Sequence, residues 1–172
     1  EKIQQVVSVR KGEIMFGLNM IVHKGKTIFI GDTSVHEYPS SEQMAEIAIS
    51  TARVVRLFGF DPKVAFVSHS TFGQPLTSRT KHIRDAVEIL KNKKVDFEFD
   101  GDMQPDVALN SEYEELYPFA NIVGKANILI MPGQHSAAIS YKLMKTIGDS
   151  KVIGPLLIGL GLPIEIAPLR SS

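Results

Sequence analysis

Two apolar rhythms alternate along this chain. Glu13 to Ile30 reads as two strands around His23-Lys24-Gly25-Lys26, a hairpin with Gly in the turn, and Gly31-Asp32 ends that unit. A helical period follows: Met44, Ile47, Ala48, Val54, Val55 and Phe58 share one face, with Gly59 at the stop. Its start is Pro39-Ser40-Ser41-Glu42-Gln43, where Ser40 caps the free N–H groups and Gln43 completes a capping box. Lys63 to Ser68 is a short continuous apolar run, the pattern of a parallel strand buried on both faces. A helix is predicted from about Arg79 to Lys94, with Ile83, Val87 and Leu90 on one side. Phe97-Glu98-Phe99 reads as a strand, Asp106 to Tyr117 as a short helix and Ile128 to Met131 as a buried strand. Gln134 to Ile147 is a helix stopped by Gly148, and Val152 to Ala167 holds two short strands joined through Gly159–Pro163. Strand–helix alternation of this kind predicts an α/β fold, a mostly parallel sheet with flanking helices and right-handed crossovers. The opening hairpin breaks the rhythm. Residues 1–38 are therefore expected to be a lead-in and β-hairpin belonging to a neighbouring lobe, and 39–172 the α/β lobe.

Composition narrows the classes. The 172 residues balance 19 Lys+Arg against 19 Asp+Glu, which argues against a nucleic-acid surface but allows a local basic pocket for one small anion. With no Cys there is no disulfide, thiolate metal site or cysteine nucleophile, and the five His show no metal-ligand spacing, so no metal is expected. The longest apolar run, Val152 to Ile164, is broken by Gly154, Pro155, Gly159, Gly161 and Pro163, so no membrane span is expected. The chain opens at Glu1 without Met, shows no leader, and stops soon after a strand-like run. The expectation is a cytoplasmic fragment of a longer protein.

Ligands of open parallel sheets bind beyond the carboxyl ends of the strands, and four loops are expected to meet there. Ser68-His69-Ser70-Thr71-Phe72-Gly73 is hydroxyl-rich, and it reads either as a phosphate cradle or as a polar turn capping the next helix. Asp100-Gly101-Asp102-Met103-Gln104-Pro105-Asp106 invites a magnesium reading, but Asp in such a loop more often turns the chain and caps a helix, here at Asp106. In Met131-Pro132-Gly133-Gln134-His135-Ser136, His135 stands at a strand-to-helix mouth with no nucleophile near it in sequence. Gly154-Pro155 forms a side-chain-poor corner, open to a ligand or simply a bend between lobes.

These loops, in this order, carry a resemblance. Gly31-Asp32, Pro39 to Ala48, Phe58-Gly59-Phe60-Asp61-Pro62-Lys63-Val64-Ala65 and Ser68-His69-Ser70 resemble the phosphate acetyltransferase family. Asp100-Gly101, Gln104, Asp106, Ala108, Gly124-Lys125-Ala126-Asn127 and Gly154 to Gly159 continue the match, which runs from about residue 14 to the end. The resemblance implies the phosphotransacetylase-like (isocitrate/isopropylmalate dehydrogenase-like) fold, lacking part of the family's N-terminal region. The family includes free enzymes, which make acetyl-CoA and phosphate from acetyl phosphate and CoA, and the C-terminal domains of bacterial NADP-dependent malic enzymes. Ser68-His69-Ser70 with Phe72-Gly73, Asp100 to Gln104, and Ile139-Ser140-Tyr141 look more like the second.

The departures bear on catalysis. Where the free enzymes carry a catalytic Ser and Arg after the Gly-Pro motif, alignment on Pro163 places Pro168 and Leu169, with Arg170 displaced by one position. An Arg serving the phosphate site is matched by Thr146. Losing one such contact typically costs about 2.7–4 kcal/mol of transition-state stabilisation, so no catalytic residue and no useful acetyltransferase activity are expected. Against malic-enzyme domains, Gly133 and His135 stand where Asn and Asp are usual, and Ala138 where Asn is usual. The resemblance thus implies an acetyl-CoA-sensing and oligomerising domain of a malic enzyme, with NADP and divalent metal held only outside this chain. Alternatives are an active phosphate acetyltransferase and a purely structural dimerisation domain. It places acetyl-CoA at Ser68, Ser70, Thr71, Gln104, Asp106, Gly154 and Pro155, so a bulky residue at Gly154 is expected to abolish binding in an intact fold. The expected partners are acyl-CoA and a second copy of the chain.

Overall fold

The computed structural model describes residues 7–162. The second strand expected after Pro163, and Pro168, Leu169 and Arg170, lie outside the described residues. The hairpin forms as expected. β1 (Phe16–His23) and β2 (Lys26–Gly31) pair antiparallel through His23 and Lys26. The two-residue turn between them holds Lys24 and Gly25 at φ 47° and 79°, the positive pair that matches the strand twist. Helix α1 (Ser41–Leu57) starts on the expected capping box, Ser40 with Gln43. Then come β3 (Lys63–Val67), α2 (Ser78–Lys93), β4 (Glu98–Met103), α3 (Pro105–Leu109), β5 (Ile128–Ile130), α4 (Gln134–Ile147) and β6 (Lys151–Ile158). A second capping box, Thr77 with Thr80, begins α2.

The six strands form one sheet in the order β4-β3-β5-β2-β1-β6. β2, β5, β3 and β4 pair parallel, and β1 alone runs against the others. The hairpin, expected in a neighbouring lobe, is instead built into this sheet, because Phe29, Ile30 and Gly31 of β2 pair with Ile128, Leu129 and Ile130 of β5. Both of its faces are needed by the core. Phe16, Leu18 and Phe29 pack under α1 and α2 with Val64, Phe66, Ile83 and Leu90. Ile21 and Ile30 pack on the other face with Val107, Ala108 and Ala137 of α3 and α4. The acidic stretch expected as a loop is also revised, since Asp100, Gly101 and Asp102 lie inside β4. Asp106 does not cap α3. Gln104 is the N-cap, Pro105 supplies the preset first position and Asp106 sits in the first turn. The helix expected to Tyr117 ends at Leu109, followed by a 3-10 turn over Ser111–Tyr113.

Candidate functional site

The strand order decides where a ligand can enter. β2 and β3 hand the chain to α1 and α2 on one face, whereas β5, inserted between them, hands it to α4 on the other. Connections that leave adjacent strands toward opposite faces open a crevice at the carboxyl ends, the usual binding position in such sheets. A cleft of about 740 Å³ lies there, within the size range of small-molecule sites. It is lined by Glu37, Tyr38 and Pro39 before α1, Arg79 and His82 of α2, and Pro132, Gly133 and His135 at the start of α4.

Its walls are held by buried hydrogen bonds. Asp32, 4% exposed, closes the end of β2: Oδ1 accepts the N–H groups of Gly17, Ser34 and Val35 at 2.9, 3.1 and 3.0 Å. Oδ2 accepts the His36 N–H at 2.8 Å and bonds His36 Nδ1 at 2.5 Å. Burial pushes this carboxyl up, but the bonds from His36, Gly17 and Ser34 outweigh it and hold it below its ordinary value of 3.8. The next residues are pinned to α4: the Gln134 N–H donates to the His36 carbonyl at 3.0 Å, and Glu37 meets His135 Nε2 at 3.2 Å. On the other wall His82 staples α2 to the start of α1, its Nε2 at 2.8 Å from the Pro39 carbonyl and its Nδ1 at 2.9 Å from Ser41 Oγ. His82 is thereby occupied as a brace. Because the Asp32 carboxyl is depressed in the fold, its stabilisation is present above the ordinary value and is lost as pH falls through the lower folded one. Asp32→Asn is therefore expected to lower the urea midpoint at pH 7, with the gap to wild type closing in acid. A gap independent of pH shows the carboxylate charge to be irrelevant.

The residues expected to hold ligand divide into separate places. Ser68, Ser70, Thr71 and Gln104 do come together. The Gln104 N–H donates to Thr71 Oγ1 at 3.2 Å, and Ser68 and Ser70 hydroxyls lie 3.2 Å apart. They face inward, however, with Ser68 6%, Ser70 0% and Thr71 8% exposed. The organiser is Asp102, fully buried, whose carboxylate accepts the Ser70 hydroxyl and the Gly73 N–H, the latter at 3.0 Å. The Ser70 hydroxyl and the Gly73 N–H of this loop are therefore engaged by Asp102. Asp106 bonds the Tyr113 hydroxyl at 3.2 Å at the surface. Gly154 and Pro155 sit in β6, which the sheet order separates from β3 by four strand spacings, about 19 Å. Thr146 is exposed on the last turn of α4, about 18 Å along the helix from its first turn.

What the sequence reading missed is the loop Glu37–Pro39 and the cation Arg79. The sequence singles out His135 at a strand-to-helix mouth, whereas Arg79 reads there only as a helix start. Among the described residues no cluster of three or more His, Asp or Glu is placed to hold a metal, and no helix is long and apolar enough to cross a membrane.

Comparisons with known proteins agree with this architecture. The profile of the family "Phosphate acetyl/butaryl transferase" matches residues 1–169. The chain is 42% identical over 172 residues to an NADP-dependent malic enzyme of Rhizobium meliloti (strain 1021), all of this chain but 23% of that protein. It is 32% identical over 163 residues to a phosphate acetyltransferase of Bacillus subtilis (strain 168), 94% of this chain and 50% of that one. The crystal structure of a phosphotransacetylase from Streptococcus pyogenes superposes with a TM-score of 0.92 at 29% identity, over 98% of this chain and 52% of that one. The chain thus spans about a quarter of the malic enzymes it matches and half of the Bacillus subtilis acetyltransferase. On its fold and its full-length match, it belongs to the phosphate acetyl/butaryl transferase family, as the phosphotransacetylase-like part found in malic enzymes.

Proposed function

We propose that this chain is the acetyl-CoA-sensing module of an NADP-dependent malic enzyme, binding the thioester without turning it over. The observation that carries the reading is the switch-point cleft: about 740 Å³, walled by Tyr38, Pro39, Ile83 and Pro132, with Arg79 and His135 at its polar side. Apolar walls with a few convergent polar groups suit a long, partly apolar ligand that ends in anions. The absence of acyl transfer rests on sequence, on Pro168 and Leu169 where the free enzymes carry catalytic Ser and Arg, and on Thr146. Bound acetyl-CoA regulates the parent enzyme only if it prefers one arrangement of the assembly over another. A reading as an active acetyltransferase draws on the similarity to free enzymes such as that of Bacillus subtilis.

A second, compatible role is favoured by α4. Among its described residues it buries only Ala137, and it exposes Ile139, Leu143 and Ile147 at a four-residue spacing. Such a stripe suits a subunit contact.

The test is thermal unfolding with acetyl-CoA, CoA and acetyl phosphate. Acetyl-CoA at 100 times its dissociation constant stabilises a folded chain by about 2.7 kcal/mol, which at this size is about 5–10 °C. The expected result is that shift, with CoA acetylation at background in a coupled assay. A shift with turnover makes the chain an active acetyltransferase. No shift, in a sample whose sedimentation shows a dimer, leaves only the assembly role.

A further inference from the structure

The cleft contains a cation that the protein leaves unanswered. Arg79 is exposed, lines the cleft from the first turn of α2, and makes no ion pair or side-chain hydrogen bond among the described residues. A positive side chain at that position opposes the helix dipole, and α2 has no acidic residue in its first turn to relieve it. The facing wall repeats the pattern. α4 begins at Gly133 without a side-chain cap and without an acid in its first turn, and His135 stands there instead. Among the described residues Glu37 is the one carboxylate lining the cleft, and His135 already engages it. α2 keeps its capping box, Thr77 with Thr80, but lacks the acid that α1, the third helix starting at this cleft, places in its first turn as Glu42 beside its own box of Ser40 and Gln43. Local rules broken around a cavity, and kept beside it, mark a place where the ligand supplies the missing charge.

We infer that Arg79 is the residue that holds a phosphate of the ligand in this cleft, and that it makes the site select phosphorylated acyl thioesters over their phosphate-free counterparts. The assignment rests on the acyl-CoA reading above. A guanidinium presents a planar fork of donors that matches a phosphate bidentately. None of the positions expected from sequence to hold ligand includes it.

The experiment measures binding of acetyl-CoA, acetyl-pantetheine and inorganic pyrophosphate by calorimetry to wild type, Arg79→Ala and Arg79→Lys, with urea midpoints to confirm equal folding. Arg79→Ala is expected to weaken acetyl-CoA by about 10-fold or more and to leave acetyl-pantetheine unchanged, with Arg79→Lys between. Equal acetyl-CoA affinity in wild type and Arg79→Ala overturns the assignment and leaves the acyl-CoA reading standing. An equal loss for acetyl-CoA and acetyl-pantetheine also overturns it, since Arg79 then shapes the cleft rather than holding phosphate. If wild type ignores acetyl-CoA but binds pyrophosphate through Arg79, the acyl-CoA reading falls and the phosphate site remains. Binding of none of the three overturns both.

Discussion

Truncating Asp102 to alanine is expected to destabilise the chain by about 3–5 kcal/mol, lowering the melting temperature by on the order of 10 °C. The carboxylate is fully buried between β4 and the loop after β3, and it accepts the Ser70 hydroxyl and the Gly73 N–H. Removing it leaves the Gly73 N–H buried without an acceptor and the Ser70 hydroxyl with only Ser68 Oγ at 3.2 Å, at about 1–3 kcal/mol for each bond lost, and leaves a small void as well. The opposing effect, relief of the cost of burying a charge, is smaller here because the partners stay behind unpaired. Asp102→Asn keeps the volume and one acceptor oxygen, so it is expected to lose roughly half as much. Urea midpoints of the two variants at pH 7 check the order. Wild-type stability in the alanine variant would mean that the loop from Ser68 to Gly73 is held by something other than this carboxylate.

Gly154→Val is expected to lose about 3 kcal/mol or more, by loosening β6 from β1. Gly154 adopts φ +124°, where side chains are rarely found, and an added Cβ meets the Leu18 carbonyl oxygen at 2.7 Å and Asn19 Oδ1 at 3.0 Å. The nearer atom is backbone of the neighbouring strand, so that clash cannot be relieved by turning a side chain. The sequence reading expected such a substitution to remove ligand binding from an intact fold. The packing changes that expectation, because the first thing the side chain meets is the sheet. Hydrogen exchange separates the two outcomes: the structure predicts faster exchange along β1 and β6, whereas unchanged exchange with lost acetyl-CoA binding restores the ligand role for Gly154.

Much of the architecture was readable without coordinates, and the readable parts share one property. The capping box at Ser40 and Gln43, the span of α4 from Gln134 to Ile147, and the buried run of β3 depend on residues within a few positions of one another. Backbone propensity, side-chain capping and periodic burial act at that range. The motif match to the family is likewise a property of the linear text.

The site was less readable for a reason that can be traced to single residues. Ser68, Ser70 and Thr71 have the right chemistry to hold an anion, and no local pattern reveals that Asp102, thirty-two positions beyond Ser70, turns that chemistry inward. Gly154-Pro155 follows a strand like the other loops do in sequence, yet β1 and β2 stand between β6 and the rest of the parallel sheet. Along the chain Arg79 reads as an ordinary helix start, and only the fold brings Pro132 and His135 into the same cleft with it.

By itself, then, the chain's text determined the class of fold, the boundaries of most helices and the family. Tertiary structure alone decided that β5 inserts between β3 and β2, and with that insertion where the crevice opens, which hydroxyls are buried and that Arg79 lines the crevice. The physical reason is range. Helices and caps are chosen by contacts along the chain, whereas strand order and the satisfaction of buried polar groups are chosen by contacts between segments far apart in it, whose pairing no local pattern records.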